Sequence, residues 1–148
     1  MPNKLVSIVI SAYNEQDNVN ELYKQLVQNL QKVKNVDFEF LYVDDGSSDK
    51  TYANCLKLQK KDARVKVVQL KRNFGHEIAM TAGMDYAKGD AVVFMDSDLQ
   101  HPPVYIPKMI ELWQKGKEIV LTKRLEICPF RAYVTYLLVV VFKTSFLA

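Results

Sequence analysis

Cysteine is scarce: Cys55 and Cys128 are the only two in 148 residues. A pair makes neither a disulfide framework nor a zinc site, and both read as reduced structural thiols. Glycine and proline are thin as well, five of each, which excludes collagen-like, mucin-like and low-complexity chains. Charge of one sign is also lacking. The formal net charge of +3 is too small to argue for a nucleic-acid partner. Only a short apolar run, Leu5 to Ile10, follows the first residues, and no small-residue cleavage site comes after it. No export signal is therefore expected, and the chain is expected to stay cytoplasmic. The run AYVTYLLVVVF, Ala132 to Phe142, falls well short of the roughly 18 to 20 apolar residues of a spanning helix. It reads as an interfacial segment, an incomplete span or a buried strand. No glycine-rich dinucleotide fingerprint and no Walker loop occurs. His76 and His101 have no Ser or Cys partner at a recognisable spacing, which removes a hydrolase triad.

What is present is one domain's worth of globular sequence, 49% hydrophobic and 25% charged. Apolar runs suited to buried strands alternate with stretches of helical period. Strands are expected at Leu5–Ile10, Phe38–Val43, Val65–Leu70, Ala91–Met95 and Glu118–Thr122. Asn18 with Glu21 reads as a capping box opening a helix, whose apolar face is Val19, Leu22, Tyr23, Leu26, Val27, Leu30 and Val33. Further helices are expected from about Lys50 to Lys61 (capped by Ser48 or Asp49), from Gly75 to Ala87, and from Pro102-Pro103 to Lys115. The third carries a small-residue face, Ala79, Ala82, Gly83 and Ala87, for close approach to a sheet, with Gly89 just past its end. In the last, Trp113 packs with Ile106, Met109 and Ile110, and Gly116 ends it. Repeated strand–helix alternation with fully apolar strands predicts an α/β fold, a mostly parallel sheet with helices on both faces.

Ligands of such sheets bind beyond the carboxyl ends of the strands. There the sequence gathers acids and amides: Ser11-Ala12-Tyr13-Asn14-Glu15, Asp44-Asp45-Gly46-Ser47-Ser48-Asp49, Lys71-Arg72-Asn73-Phe74-Gly75, and Asp96-Ser97-Asp98-Leu99-Gln100-His101. Clustered carboxylates repel one another, and a cation is the usual reason to keep them together. In an extended segment Asp96, Asp98 and Gln100 point the same way, while Ser97 and Leu99 face away. Such oxygen ligands, with positions left open, suit Mg²⁺ or Mn²⁺ bridged to a diphosphate better than a calcium cage. Asp44 and Asp45 exceed what a tight turn needs, and one of them is free to accept from a nucleobase or ribose. Arg72 and Lys71 offer cationic partners for phosphate, and His101 stands beside the metal loop within reach of one.

The segments IVISAYNEQDNV, FLYVDDGSSDKT and LKRNFGHEIAMTAGMDYAKGDAVVFMDSDLQHPP together resemble the inverting family-two glycosyltransferases of the GT-A fold. Within these the chain is most similar to the polyprenyl-phosphate branch, which includes dolichol-phosphate mannose synthases and bactoprenol glucosyltransferases. The resemblance covers about Leu5 to Thr122 and implies a Rossmann-like GT-A sheet, incomplete at its carboxyl end. It implies that Tyr13, Glu15 and Asp44 or Asp45 hold the nucleotide, that Asn73 and Gly75 shape the pocket, and that Asp96, Asp98 and Gln100 coordinate the metal. Ser11 stands where the family commonly has proline. Residues 1–124 read as the nucleotide-sugar-binding portion, and 125–148 as a divergent apolar tail in which Arg131, Tyr133, Tyr136 and Lys143 suit a membrane interface.

The implied reaction is metal-assisted transfer of a hexose from a UDP- or GDP-linked donor to a polyprenyl phosphate, with inversion, at the cytoplasmic membrane face. A polyprenyl phosphate, with a second pKa near ~6, arrives largely ionised, so a base absent from the chain is a smaller loss than an absent acceptor site. The competing expectation is a truncated, non-catalytic fragment that binds nucleotide sugar and metal. A phospho-receiver domain is set aside, because Leu70 is followed by Lys71-Arg72-Asn73 rather than an acceptor Asp.

Overall fold

The computed structural model describes residues 3–126, 133–137 and 142–143. In chain order the elements are β1 (Lys4–Ala12), α1 (Val19–Leu30), β2 (Val36–Asp44), α2 (Thr51–Lys61), β3 (Val65–Gln69), α3 (His76–Tyr86), β4 (Ala91–Asp96), α4 (Ile106–Gln114), β5 (Thr122–Glu126), β6 (Tyr133–Leu137) and β7 (Phe142–Lys143). A single 3-10 turn, Pro103–Tyr105, leads into α4.

From Val6 to Ala12 every residue of β1 is buried, as a parallel strand covered on both faces must be. It runs parallel between β2 and β4, with Ile8 opposite both Phe40 and Val93. Strand β3 pairs parallel with β2, and β7 pairs antiparallel with the start of β4. The order is β3-β2-β1-β4-β7. Alternation along the strands divides the core in two. Ile8, Ile10, Phe40, Tyr42 and Val93 face α1, α2 and α4, whereas Val9, Leu41, Val43 and Phe94 face α3. Val19, Leu22, Leu26 and Leu30 of α1 are all buried, and burying each such side chain stabilises by roughly 1.5–3 kcal/mol. Trp113 packs with Ile106, Met109 and Ile110 as expected. Cys55 is a free, buried thiol that burial pushes up to about 12; Cys128 lies outside the described residues.

On the α3 face the small residues act by proximity. A Cβ on Gly83 would overlap the Val9 side chain and stand 3.1 Å from Val43 Cγ2, so the helix lies nearly on the strands. Beneath the same region Glu39, a buried carboxylate in the middle of β2, is fully partnered. It accepts from Ser7 Oγ at 2.5 Å, the Lys88 N–H at 2.7 Å and Lys66 Nζ at 2.9 Å, as a buried charge must be.

Three local expectations differ from the structure. The fifth strand begins at Thr122 rather than ending there, and it forms a separate antiparallel pair with β6. Ile119 and Leu121, inside the expected span, are 57% and 56% exposed. The Asn18/Glu21 capping box is not made. Instead the Glu15 carbonyl accepts the N–H groups of Asn18 and Val19, and Asn18 Nδ2 donates to Glu15 Oε2 at 2.6 Å. Gly89 is not a helix cap either. It is buried, its N–H donates to Ser7 Oγ, and a Cβ there would stand 2.6 Å from Ser7 N. Gly116, by contrast, has φ +90° and closes α4 as expected, with Gly116 N–H on Trp113 O and Lys117 N–H on Leu112 O. Of the tail expected to be interfacial, 127–132, 138–141 and 144–148 lie outside the described residues, including Arg131.

Candidate functional site

The strand order reverses direction at β1, whose neighbours β2 and β4 are reached by connections on opposite faces, and a crevice opens where these connections part. Its floor is set by register: Ser11 is paired with Asp96, and Ala12 with Asp44. A cavity of about 200 Å³ lies at this edge, lined by Tyr13, Asp45, Asn73 and Gly75 together with Ser11, Ala12, His76 and Ala79. Four residues expected to hold or shape a nucleotide pocket are therefore brought together. Glu15, Asp44, Arg72 and His101 lie outside its lining. A larger hollow of about 390 Å³, among Leu30, Val36, Phe38 and Arg64, opens at the opposite edge, away from the acids and amides. The chemistry favours the smaller one.

Each strand-end loop is tied to its neighbour. Asn14, at φ +55°, accepts the Ser48 N–H at 2.9 Å, while its own N–H donates to Ser47 Oγ. The Glu15 N–H donates to Thr51 Oγ1 at 2.7 Å, so Glu15 is held in the turn opening α1. Asp49 accepts from Thr51 N–H and Gln16 N–H. Desolvation pushes its carboxyl up, but these donors outweigh it and hold the group below its ordinary value. Asp45 is buried and fully used: it accepts the N–H of Phe74 at 2.8 Å and of Gly75 at 2.9 Å. It therefore shapes the pocket wall. Gly46 has φ +67°, and a Cβ there would stand 2.6 Å from Arg72 Cα, so only glycine lets the loops after β2 and β3 meet. Asp44 is fully buried; Oδ2 lies 3.4 Å from Gln69 Nε2, and Oδ1 has no hydrogen-bond partner among the described residues. Tyr13 is half exposed at the mouth, and the Arg72 guanidinium lies 4.5 Å from the centre of the exposed Phe74 ring.

Asp96 ends β4, but the chain does not continue extended. Leu99 takes φ +61°, and the Gln100 N–H donates to Asp98 Oδ1 at 2.9 Å. A turn, not strand alternation, therefore puts Asp96, Asp98 and Gln100 on one loop. Ser97 is buried and Leu99 packs on the core, while Asp98 is half-buried and Gln100 exposed. Among the described residues no three His, Cys, Asp or Glu side chains group to hold an ion unaided. Sequence reading passed over the most connected groups here. Ser11 Oγ donates to Asp96 Oδ1 at 2.6 Å, and His76 Nδ1 lies 3.0 Å from that oxygen and 3.1 Å from Ser11 Oγ. On the other side the Asp96 N–H donates to His101 Nδ1 at 3.3 Å. Ser11 was legible only as a departure from the family's usual proline, and His76 as the start of a helix, open to solvent or to a neighbouring acid.

Residues 7–135 match the family described as Glycosyl transferase family 2. The chain belongs to that family. The bactoprenol glucosyl transferase of Shigella phage SfV is 40% identical over 119 residues, covering 80% of this chain and 38% of that protein. The undecaprenyl-phosphate 4-deoxy-4-formamido-L-arabinose transferase of Edwardsiella ictaluri is 41% identical over 123 residues, 82% of this chain and 37% of that protein. The family 2 chain thus spans a little over a third of the length of these relatives. Among solved structures, the mannosyltransferase PcManGT from Pyrobaculum calidifontis, in complex with GDP-Man and Mn²⁺, superposes with TM-score 0.67 at 19% identity, over 82% of this chain and 36% of that one. Glucosyl-3-phosphoglycerate synthase from Mycobacterium tuberculosis, in complex with UDP, superposes with TM-score 0.61 at 25% identity, over 80% and 43%. The family 2 chain therefore has the expected α/β fold of GT-A glycosyltransferases.

Proposed function

We propose that this family 2 chain binds the nucleoside diphosphate part of a UDP- or GDP-linked hexose at the carboxyl edge of its sheet, and that the protein transfers the hexose, with inversion, to a polyprenyl phosphate. The observation that carries the reading is the cavity at the carboxyl end of β1, lined by Tyr13, Asp45, Asn73 and Gly75, with Asp96 at the end of the adjacent strand β4. In it Tyr13 stacks on the base and the Asp45-bound loop of Asn73 and Gly75 forms the wall, while Glu15 and Asp44, beyond the cavity lining, complete the nucleotide side. Arg72 and His101 reach the phosphates.

The residues fit a divalent cation. Asp96 and Asp98 supply carboxylate oxygen and Gln100 an amide oxygen, hard donors too few for a closed cage and suited to Mg²⁺ or Mn²⁺ that keeps places for phosphate and water. When bound, the ion neutralises charge on the departing diphosphate. The chain's own residues orient the donor so that its anomeric carbon faces the acceptor. That acceptor, a phosphate with a second pKa near ~6, is already largely ionised and needs little deprotonation. The names of the bactoprenol and undecaprenyl-phosphate relatives support this acceptor class. The reaction then takes place at a membrane, on its cytoplasmic face. No helix among the described residues is long and apolar enough to cross one.

Calorimetric titration with UDP and with GDP, with and without Mn²⁺, tests the site. Metal-dependent binding that Asp96→Asn abolishes is the expected result, and the preferred base narrows the donor. Unchanged metal-dependent binding in both Asp96→Asn and Asp98→Asn overturns the assignment.

A further inference from the structure

The two oxygens of Asp96 have unequal surroundings. Oδ1 is 2.6 Å from Ser11 Oγ and 3.0 Å from His76 Nδ1. The serine has one hydroxyl proton, and it points to Oδ1. His76 Nδ1, 3.1 Å from Ser11 Oγ, then bonds to the serine oxygen by donating, which requires the proton on Nδ1. Oδ2 is different. Its nearest imidazole atom, His101 Nδ1, is 3.9 Å away and already accepts the Asp96 N–H, so that nitrogen carries a lone pair and cannot donate. The two histidines flanking Asp96 thus take opposite roles, His76 donating to the serine that serves the carboxylate and His101 accepting from the Asp96 backbone. Among the described residues Oδ1 receives a donor and Oδ2 receives none.

The geometry points to Ser11 and His76 as positioning residues that fix Asp96 as a one-oxygen ligand, offering Oδ2 alone. This inference rests on the reading of Asp96 as a ligand of the divalent cation. A carboxylate held this way suits Mg²⁺ or Mn²⁺, whose compact octahedral shells take single oxygens. A carboxylate free to turn and offer both oxygens suits the larger, irregular shell of Ca²⁺. Groups that orient a ligand without touching the ion commonly change metal affinity by about 10–100-fold when removed. Ser11 therefore sets which cation the site prefers. Both residues come from outside the Asp-Ser-Asp segment, 85 and 20 positions before Asp96 in the chain.

The test is Mn²⁺ titration of the 148-residue chain, read by loss of the free-ion electron paramagnetic resonance signal, with Ca²⁺ as competitor. Ser11→Ala is expected to lower the preference for Mn²⁺ over Ca²⁺ by about tenfold, and Ser11→Thr, which keeps the hydroxyl, to restore it. His76→Ala, at a side chain 54% exposed and so without consequence for folding, is expected to shift the preference in the same direction. If both alanine variants keep the wild-type preference while Asp96→Asn loses Mn²⁺, the clamp is wrong and the metal ligand stands. If Asp96→Asn binds Mn²⁺ like wild type, the ligand assignment fails and the clamp fails with it.

Discussion

Asp45, at the end of β2, accepts the backbone N–H of Gly75, the residue that opens α3, at 2.9 Å, and its other oxygen accepts the Phe74 N–H at 2.8 Å. One carboxylate thus ties the loop after β3 to the strand next to it. Asp45→Ala leaves the Phe74 N–H without its partner in a half-buried site, whereas Gly75 N–H keeps Asn73 Oδ1 at 2.9 Å as an alternative. Leaving such a group unpaired costs about 1–3 kcal/mol. We expect Asp45→Ala to lose about 2 kcal/mol in urea unfolding and to weaken nucleotide binding further, because the cavity wall is released. Unchanged stability would show that the loop is held elsewhere.

Glycine to alanine within a helix ordinarily stabilises by about 0.5–1 kcal/mol. At Gly83 the sign reverses. The added methyl overlaps Val9, a side chain of the central strand with no exposure to retreat into, and overpacking of this kind costs about 1–3 kcal/mol. Gly83→Ala is expected to lower Tm by several degrees in calorimetry, while Ala82→Gly, on the same helix with partial exposure, loses only helix propensity. A Gly83→Ala protein that melts higher would mean that α3 slides easily over the sheet.

The strands of the parallel core were legible because burial on both faces leaves unbroken apolar runs, and α1 because Val19, Leu22, Leu26 and Leu30 keep helical spacing. The site loops were legible as the acid- and amide-rich segments after the strands, and the resemblance supplied the roles of their residues. Glu118–Thr122 looked equally apolar, yet the edge beside β4 is taken by β7, more than 40 residues further along than β4. Local pattern does not reveal which of two apolar segments wins an edge. The Ser11, His76 and Asp96 contact was invisible for a related reason: it exists only because parallel register sets Ser11 beside Asp96 and α3 begins at His76. Alternation also misplaced Gln100, since a positive φ at Leu99 ends the extended run.

Asp62 follows α2 and receives Arg64, which donates from Nη2 at 2.7 Å, and the Tyr23 hydroxyl at 2.6 Å. The hydrogen bonds from Arg64, opposed by desolvation and reinforced by Tyr23, hold its carboxyl well below the usual carboxylate range. A depressed folded-state pKa stabilises the fold above the unfolded value of about 3.9, and the contribution is lost as pH falls from there through the folded value. Asp62→Asn is therefore expected to be less stable than wild type at neutral pH, with the gap narrowing in strongly acidic solution. Urea unfolding across that range checks it, and a gap constant with pH would remove the ion pair as its source.

Asp44 presents the opposite balance. Its side chain is fully buried, and among the described residues Oδ1 has no hydrogen-bond partner and Oδ2 has a long one, Gln69. A carboxyl placed so contributes little to the fold and carries an unrecovered desolvation cost. Groups of this kind are kept where function needs them, at some expense in stability. Asp44→Asn, neutral and of the same shape, is expected to leave the ligand-free Tm unchanged or raised, because an amide costs less to bury than a carboxylate. The same substitution is expected to weaken binding of UDP or GDP by about tenfold, the loss of one hydrogen bond to a charged acceptor at roughly 1.4 kcal/mol. Calorimetric melting and titration on one preparation give both values. A fall in Tm with full nucleotide affinity would reverse the reading and make Asp44 a structural residue of the β2 end.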